Sequence, residues 1–171
     1  MVECSYEQHA PAIVAILNDA IVNSTALYDY EPRPLASMTP WFEAKARGSF
    51  PVLGAENAKG ELLGFATYGT FRAWPAYKYS VEHSVYVAAN ARGSGVGFAL
   101  MRNLIAVAQA RDVHTLIGGI DASNRASIAF HERLGFTLCG TVREAGFKFG
   151  RWLDLAFYQL LLPGPRAPHD G

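Results

Sequence analysis

The chain has 171 residues, half of them hydrophobic, which is enough to bury the core of one domain. Fifteen basic residues balance fifteen acidic ones, so charge gives no reason to expect binding to nucleic acid or to an anionic membrane. Cys4 and Cys139 are too few and too far apart for a disulfide framework or a metal cluster. Because they form no such cluster, we expect no bound metal. No secretory signal or membrane-spanning run is recognisable, so we expect a cytoplasmic protein.

The first half of the chain has the apolar periodicity of two helices followed by a hairpin. Residues 2–6 are compatible with a short strand. Apolar residues recur every three or four positions over residues 10–22 and again over residues 36–48, which predicts helices. Residues 50–55 and 62–71 then have the pattern of two strands on either side of a polar turn.

Two loops rich in aromatic residues are candidate walls of a substrate pocket. Residues 23–34 carry Tyr28 and two prolines, which disfavour a helix, and an ordinary packed aromatic is an equally good interpretation of this tyrosine. The second loop follows the hairpin, and its arginine can pair with an acidic group through two parallel hydrogen bonds. We predict that this loop recognises substrate through Arg72, Trp74, Pro75, Ala76 and Tyr77.

The strand over residues 81–87 leads into the most informative part of the chain. Glu82 points off this strand beside the loop that carries Arg72 and is the candidate general base, with a surface carboxylate as the alternative interpretation. Burial would raise its pKa and a nearby cation would lower it, so the direction stays open. His83 points to the opposite face and is expected in the core, whereas Tyr86 shares the face of Glu82 and can contact substrate.

A glycine-rich turn, Arg92-Gly93-Ser94-Gly95-Val96-Gly97, follows the strand and opens a helix. Its glycines leave no side chain between backbone and ligand, and N–H groups at a helix start attract anions, so we interpret it as a phosphate cradle. A dinucleotide fingerprint does not fit, because the third glycine comes one residue early and Phe98 takes its place. A nucleoside-triphosphate loop would need a lysine. A flexible surface turn is the remaining alternative.

The rest of the chain predicts a strand, a helix and two closing strands, with an aromatic turn between the last two. Hairpins combined with a strand–helix–strand crossover indicate an α/β or α+β three-layer fold with a mixed sheet. One domain is expected over residues 1–162, followed by a disordered proline-rich tail over residues 163–171. The predicted strands cover residues 115–120, 136–142 and 151–162, the helix residues 121–133 and the turn residues 147–152.

Two motifs resemble those of a known family. Arg-x-x-Gly-x-Gly after a strand is similar to the pyrophosphate-binding signature of the GNAT superfamily of acetyl-CoA-dependent N-acetyltransferases. On the predicted fourth helix, Asn124, Ser127 and His131 share one face. The helix ending His-Glu-Arg-Leu-Gly-Phe resembles the Tyr-Glu-Lys-Leu-Gly-Phe ending of that superfamily. The resemblance implies a mixed, mostly antiparallel sheet of about seven strands flanked by about four helices.

A narrower resemblance points to a substrate class. Residues 82–87, His131 and residues 146–152 together resemble the phosphinothricin and methionine sulfoximine N-acetyltransferases. This subgroup implies acetylation of the α-amine of small amino-acid analogues, namely phosphinothricin, methionine sulfoximine and methionine sulfone, and resistance to such antimetabolites. It also implies acetyl-CoA as co-substrate and a homodimer. The resemblance extends from about the first helix to Leu162.

The resemblance further implies roles for individual residues. Glu82 is the general base of a direct attack. His131 stands where many members have a tyrosine, and it can donate to the oxyanion, return a proton to the thiolate or act as a second base. The implied acetyl-CoA contacts lie on the strand, the glycine-rich turn and the fourth helix: Val85, Tyr86, Val87, Arg92, Gly93, Ser94, Gly95, Val96, Gly97, Phe98, Asn124, Ser127 and Arg133.

Three other functions compete with this interpretation. The enzyme could acetylate another small amine or a peptide N-terminus, although the aromatic, proline-bearing loops favour a closed pocket. A non-catalytic acyl-CoA-binding module is disfavoured, because both Glu82 and His131 are present. A dinucleotide-binding protein is disfavoured by the glycine spacing.

Overall fold

The computed structural model describes residues 1–170 and contains seven strands and four α-helices in that range. In chain order they are β1 (Val2–Glu3), α1 (Tyr6–Asn23), α2 (Met38–Arg47), β2 (Val52–Glu56), β3 (Leu62–Thr70), β4 (Ser80–Val87), α3 (Val96–Ala110), β5 (Thr115–Asp121), α4 (Arg125–Arg133), β6 (Thr137–Lys148) and β7 (Arg151–Leu161).

The strands form one mixed sheet in the order β1-β2-β3-β4-β5-β7-β6. The β4–β5 pair is parallel, and it joins Ser80–Glu82 of β4 to Thr115–Ile117 of β5. The β1–β2, β2–β3, β5–β7 and β6–β7 pairs are antiparallel. Helix α3 connects the two parallel strands, as a parallel pair requires a crossover. The predicted mixed, mostly antiparallel sheet of about seven strands with four helices is therefore confirmed.

Contacts divide the chain into two compact units. The first comprises residues 1–68 and 84–104, and the second residues 69–83 and 105–170. The prediction of a single domain over residues 1–162 stays a prediction. No helix within residues 1–170 is long and apolar enough to span a membrane.

The core of the first unit is built on helix α1. Its buried residues include Ile13 and Leu17, which belong to one cluster with Met38 of α2 and with Val52 and Phe65 of the hairpin. The helix begins earlier than its apolar pattern indicates, because the Ser5 hydroxyl accepts a hydrogen bond from the Gln8 N–H at 3.3 Å and caps the first turn. The predicted start at residue 10 is corrected to Tyr6, and the first strand is correspondingly shorter.

The second unit corrects two further boundaries. Helix α4 begins at Arg125, not at residue 121, because Asp121 still pairs with Leu155 of β7 and Asn124 is the N-cap. Strand β6 continues to Lys148, beyond the predicted end at residue 142, because pairing with β7 resumes after a register shift. The charged residues around this shift conceal the strand pattern in the sequence.

The proline-rich tail has no helix or strand over residues 163–170, and Gly171 lies outside the described residues. The tail is nevertheless in contact with the second unit, since the His169 N–H lies 3.4 Å from the Tyr79 hydroxyl. Its disorder stays a prediction.

Candidate active site

The glycine-rich turn of the first unit has the backbone that its sequence predicts at two of its three glycines. Gly93 and Gly95 have φ values of 78° and 87°, a region that side chains rarely adopt, and nothing lies within 4 Å of the Cβ that an alanine would add. The requirement for glycine there is conformational. Gly97 already belongs to helix α3, so it needs no unusual dihedral angle. The Gly95 carbonyl accepts the Ala99 N–H at 3.0 Å and so opens the helix.

Arg92 is held in place by two acceptors within the first unit. Its Nε donates to the Val87 carbonyl at 3.3 Å, and its Nη2 pairs with the Asp19 carboxylate of α1. The other Asp19 oxygen accepts a hydrogen bond from Asn23 at 2.9 Å. The Asn23 hydrogen bond and the Arg92 guanidinium lower the pKa of Asp19. Asp19 thus orients the arginine of the predicted phosphate cradle, a role that no sequence signal indicates.

The C-terminal half of strand β4, residues 84–87, belongs to the first unit. A Cβ on Gly64 of β3 would lie 2.7 Å from the Tyr86 carbonyl oxygen, so Gly64 is what allows the two backbones to approach. The Tyr86 ring packs 5.6 Å from that of Phe65 and is partly buried against the core. Val85 and Val87 are likewise half-buried.

Glu82 lies in the second unit in a setting that decides the direction of its pKa. Burial raises the pKa of Glu82, and the nearby Arg72 guanidinium lowers it by a smaller amount, so the net shift is upward. One Glu82 carboxylate oxygen lies 3.3 Å from the position of a Cβ on Gly119, which is equally close to a Leu155 methyl group. A half-buried carboxylate with a raised pKa is a better proton acceptor than a surface one.

The loop before β4 carries Arg72, the cation that lowers the pKa of Glu82. The guanidinium of Arg72 lies 4.4 Å from the centre of the Phe71 ring, and its Nη1 donates to the Phe71 carbonyl at 3.0 Å. The Phe71 ring in turn packs edge-to-face on Tyr77 and on Phe157 of β7. These ring contacts anchor Phe71, which precedes Arg72, to the loop and to β7.

His131 of α4 belongs to a separate buried group of rings in the second unit. Its imidazole stacks on that of His83 with a centroid distance of 5.1 Å and an interplanar angle of 26°. Phe130 and Phe136 contact it edge-on at 5.2 Å and 5.3 Å. His83 is buried, as predicted, but it is packed against the candidate catalytic histidine.

The hydrogen bond of His131 defines its tautomer. Nδ1 lies 2.7 Å from the Ser127 carbonyl oxygen, which can only accept, so Nδ1 carries a proton. In the neutral ring the other nitrogen, Nε2, therefore has a free lone pair. It is buried and has no hydrogen-bond partner within residues 1–170. Burial lowers the pKa of His131, opposed by the Ser127 hydrogen bond, which favours this neutral form.

Two adjacent glycines of β5 make room for both candidate catalytic residues. A Cβ on Gly118 would lie 2.7 Å from His83 Nε2 and 3.4 Å from His131 Nε2, whereas Gly119 adjoins Glu82. Because successive strand residues face opposite sides, Glu82 and His131 approach β5 from opposite faces of the sheet. Gly118 and Gly119 are not among the site residues predicted from the sequence, although two glycines inside a strand pattern signal a close approach.

A model of the acetyltransferase (GNAT) family matches residues 14–136, which include the glycine-rich turn and both candidate catalytic residues. The chain belongs to the GNAT acetyltransferase family. The resemblance drawn from the sequence motifs is thereby confirmed, and the protein is an acyltransferase.

Relatives of this acetyltransferase narrow the subgroup. The L-methionine sulfoximine/L-methionine sulfone acetyltransferase of Pseudomonas paraeruginosa is 46% identical over 157 residues, 92% of this chain and 91% of its own length. A solved structure from Acinetobacter baylyi ADP1 is 57% identical with a TM-score of 0.98, covering 99% of this chain and 95% of that one.

The descriptions of two further solved structures name a bound coenzyme or a substrate. A phosphinothricin acetyltransferase from Sinorhizobium meliloti in complex with acetyl-CoA is 32% identical, with a TM-score of 0.92 and coverage of 99% of this chain and 91% of that one. A ribosomal-protein-alanine N-acetyltransferase from Brucella melitensis is 46% identical, with a TM-score of 0.91 and coverage of 94% of this chain and 98% of that one.

The remaining predicted site residues of the acetyltransferase lie in varied surroundings. Asn124 caps α4, since its side-chain oxygen accepts the Ser127 N–H at 3.0 Å, and the Ser127 hydroxyl lies 3.4 Å from His131 Nδ1. Arg133 is exposed at the end of α4. In the predicted substrate loop, residues 72–77, Pro75, Ala76 and Tyr77 form a single helical turn. Trp74 is 68% exposed, and Tyr28, in the first unit, is 38% exposed. Their ligand contacts stay predictions.

Proposed function

We propose that this acetyltransferase moves the acetyl group of acetyl-CoA to the α-amine of a small amino acid or analogue, with methionine sulfoximine, methionine sulfone and phosphinothricin as substrates. The observation that carries the proposal is the 46% identity to a methionine sulfoximine/sulfone acetyltransferase over almost the full length of both chains. Acetylation removes the basicity of the α-amine, so resistance to these antimetabolites would follow. A cytoplasmic location stays a prediction.

Acetyl-CoA would be held by the glycine-rich turn and the two elements beside it in sequence. The positive-φ glycines and the start of α3 offer backbone N–H groups to a pyrophosphate, and Arg92 adds a charge that Asp19 keeps oriented. Val85 and Val87 would pair through their backbones with the pantetheine amides, as an added strand does. A backbone N–H near Val87 would stabilise the oxyanion. Asn124, Ser127 and Arg133 are proposed to contact the coenzyme from α4.

Glu82 is proposed to accept the proton that the substrate α-ammonium must lose before it attacks. The free amine then adds to the thioester carbonyl carbon, the carbon–sulfur bond breaks, and the thiolate leaves with the electron pair and takes up a proton. The support from this structure is the burial of Glu82, which raises its pKa and makes its carboxylate a stronger base.

His131 is proposed as a second proton acceptor. Of the three roles that the sequence leaves open, donation to an oxyanion requires a proton on Nε2, and the Ser127 hydrogen bond puts the proton of the neutral ring on Nδ1. Nε2 can therefore accept a proton. Because His131 meets β5 on the face opposite to Glu82, the proton that it accepts is proposed to be a different one from the proton that Glu82 takes from the ammonium. Once protonated, His131 can return that proton to the leaving thiolate.

A peptide N-terminus is the second candidate substrate. It is favoured by the 46% identity to the structure described as a ribosomal-protein-alanine N-acetyltransferase. The predicted substrate loop disfavours a peptide. Phe71 packs on both Tyr77 and Phe157, and the Arg72 guanidinium is near enough to Glu82 to lower its pKa, which suits a small substrate with a charged side chain.

The proposed substrate is tested by acetyl-CoA turnover, measured as release of free thiol, with the three analogues, natural L-amino acids and alanine-initiated peptides. We expect kcat/KM for at least one analogue to exceed that for any peptide by about tenfold or more. Turnover of peptides alone would contradict the small-substrate proposal. Tight binding of acetyl-CoA with no turnover of any amine would replace it with a binding module.

We also propose a homodimer that uses an apolar surface at the turn end of the last hairpin, defined by Phe147, Phe149 and Trp152, of which Phe147 and Trp152 pack with ring centroids 5.1 Å apart. Each of these side chains is at least 46% exposed, and β6 is the outermost strand of the sheet. An exposed apolar edge strand makes a monomeric protein prone to aggregation, and a second copy of the chain would cover it.

The dimer is tested by sedimentation velocity at micromolar concentration. We expect wild type at twice the mass of one chain and Trp152→Glu at the mass of one chain, since the substitution places a charge on the apolar surface. Tyr30→Glu is the control, because Tyr30 is also exposed, at 70%, but lies in the first unit. A wild type that sediments as one chain rules the dimer out.

A further inference from the structure

His83, one ring of the stacked histidine pair, is buried in a position that no hydrogen bond explains. Neither nitrogen of His83 has a hydrogen-bond partner within residues 1–170, and the side chain is only 7% exposed. An unpaired polar group at such a depth destabilises the fold. The orientation of His83 is therefore set by packing alone, against His131, the edge of Phe136 at 5.2 Å and the backbone of Gly118.

Within residues 1–170, His83 is the one ring that lies over the face of His131. Phe130 and Phe136 meet it edge-on, at interplanar angles of 83° and 88°, whereas His83 lies nearly parallel to it at 26°. The stack excludes water from one whole side of the His131 imidazole. Water on that side would stabilise the imidazolium form, because a charged ring gains far more from hydration than a neutral one.

We propose that His83 is a positioning residue, whose stacked ring holds the His131 imidazole in place and shields it from water, so that Nε2 stays an uncharged proton acceptor. This inference rests on the proposed role of His131. His83 itself contributes no proton chemistry: burial lowers its pKa to about 3, with a smaller contribution from His131, so it stays neutral wherever the enzyme works. Among residues 1–170, His131 is the one charged or titratable group that shifts the pKa of His83, and no charged group shifts that of His131. His131 also contacts Ser127, Phe130 and Phe136.

The test is a direct titration of His131 in the full-length protein, followed by NMR of the histidine ring protons and assigned by the signal lost in His131→Asn. In wild type we expect its midpoint below the ordinary value of 6.5. In His83→Ala, which uncovers the ring face, the midpoint is expected to rise toward 6.5. His83→Asn serves the same purpose if His83→Ala does not fold.

Two variants separate shielding from a general loosening of the fold. His83→Phe keeps a flat ring over His131 and is expected to retain the low midpoint. His9→Ala removes another buried histidine, 4% exposed and in the first unit, and is expected to destabilise the protein without moving the midpoint. A wild-type midpoint at 6.5, no rise in His83→Ala, an equal rise in His9→Ala, or loss of the low midpoint in His83→Phe would each overturn the proposal.

The pH dependence of activity gives a second measurement, which would not change if His83 only stabilised the fold. The acid limb of kcat/KM is expected to shift to higher pH in His83→Ala and to return in His83→Phe. The titration does not depend on the substrate, so the two proposals fail separately. A low midpoint raised by His83→Ala would stand even if no amino-acid analogue were acetylated, and normal acetylation with an unchanged midpoint would remove only the role of His83.

Discussion

Glu82→Gln is expected to lower kcat for acetylation of the preferred amino-acid analogue by about two to four orders of magnitude, the usual contribution of a positioned general base. Glutamine keeps the shape of the side chain beside Gly119 and cannot accept the proton. The KM for acetyl-CoA is expected to change little, because the glycine-rich turn is intact. Steady-state kinetics from pH 6 to 9 measure both quantities. A fall of less than about tenfold would remove Glu82 from the role of base.

The same substitution is expected to stabilise the fold, with a sign that follows from the raised pKa. A carboxyl whose folded pKa lies above its unfolded value holds more protons in the folded state, so stability falls as pH rises through that interval. At neutral pH the ionised Glu82 is therefore a net cost, which glutamine removes. Thermal melting should show Glu82→Gln at or above the wild-type Tm. Glu43→Gln, with a carboxylate 60% exposed on α2, is the control and should change neither Tm nor kcat.

Gly118→Ala is expected to lower the free energy of unfolding by about 1–3 kcal/mol, the typical cost of overpacking a core. Its Cβ would lie 2.7 Å from His83 Nε2, a distance that requires the stacked pair to move. Because His131 is part of that pair, kcat/KM is expected to fall about tenfold or more, as a displacement of catalytic groups by about 1 Å can do. Urea unfolding and steady-state kinetics report the two effects.

A matched substitution and a double variant locate the cause of this effect. Gly140→Ala adds the same methyl group to β6 where nothing lies within 4 Å, and it should stay within about 0.5 kcal/mol of wild type. Adding His83→Ser to Gly118→Ala frees the space that the new methyl group needs. The two substitutions should then cost less together than the sum of their separate costs. Additive costs would show that the clash lies elsewhere.

Most of the fold was predictable because its signals are local. The helix period of α3, the alternation in the β2–β3 hairpin and the glycine-rich turn each depend on residues close together in sequence. The predictions failed at element ends. Caps at Ser5 and Asn124 define where α1 and α4 begin, and a register shift extends β6 beyond Val142. Polar residues occupy those ends, so the apolar pattern does not mark them.

The family and the candidate general base were likewise available from the sequence, since Arg92 with its glycines, Glu82 and His131 lie in short motifs that retain their spacing. Only the tertiary structure decided how these residues are tuned. It brought Asp19 to Arg92 across 73 positions, His83 onto the face of His131, and Gly118 and Gly119 against the two candidate catalytic side chains. It also determined the tautomer of His131 and the upward pKa shift of Glu82. The physical reason is that pKa, tautomer and ring orientation depend on burial and on neighbours distant in sequence, which no local pattern encodes.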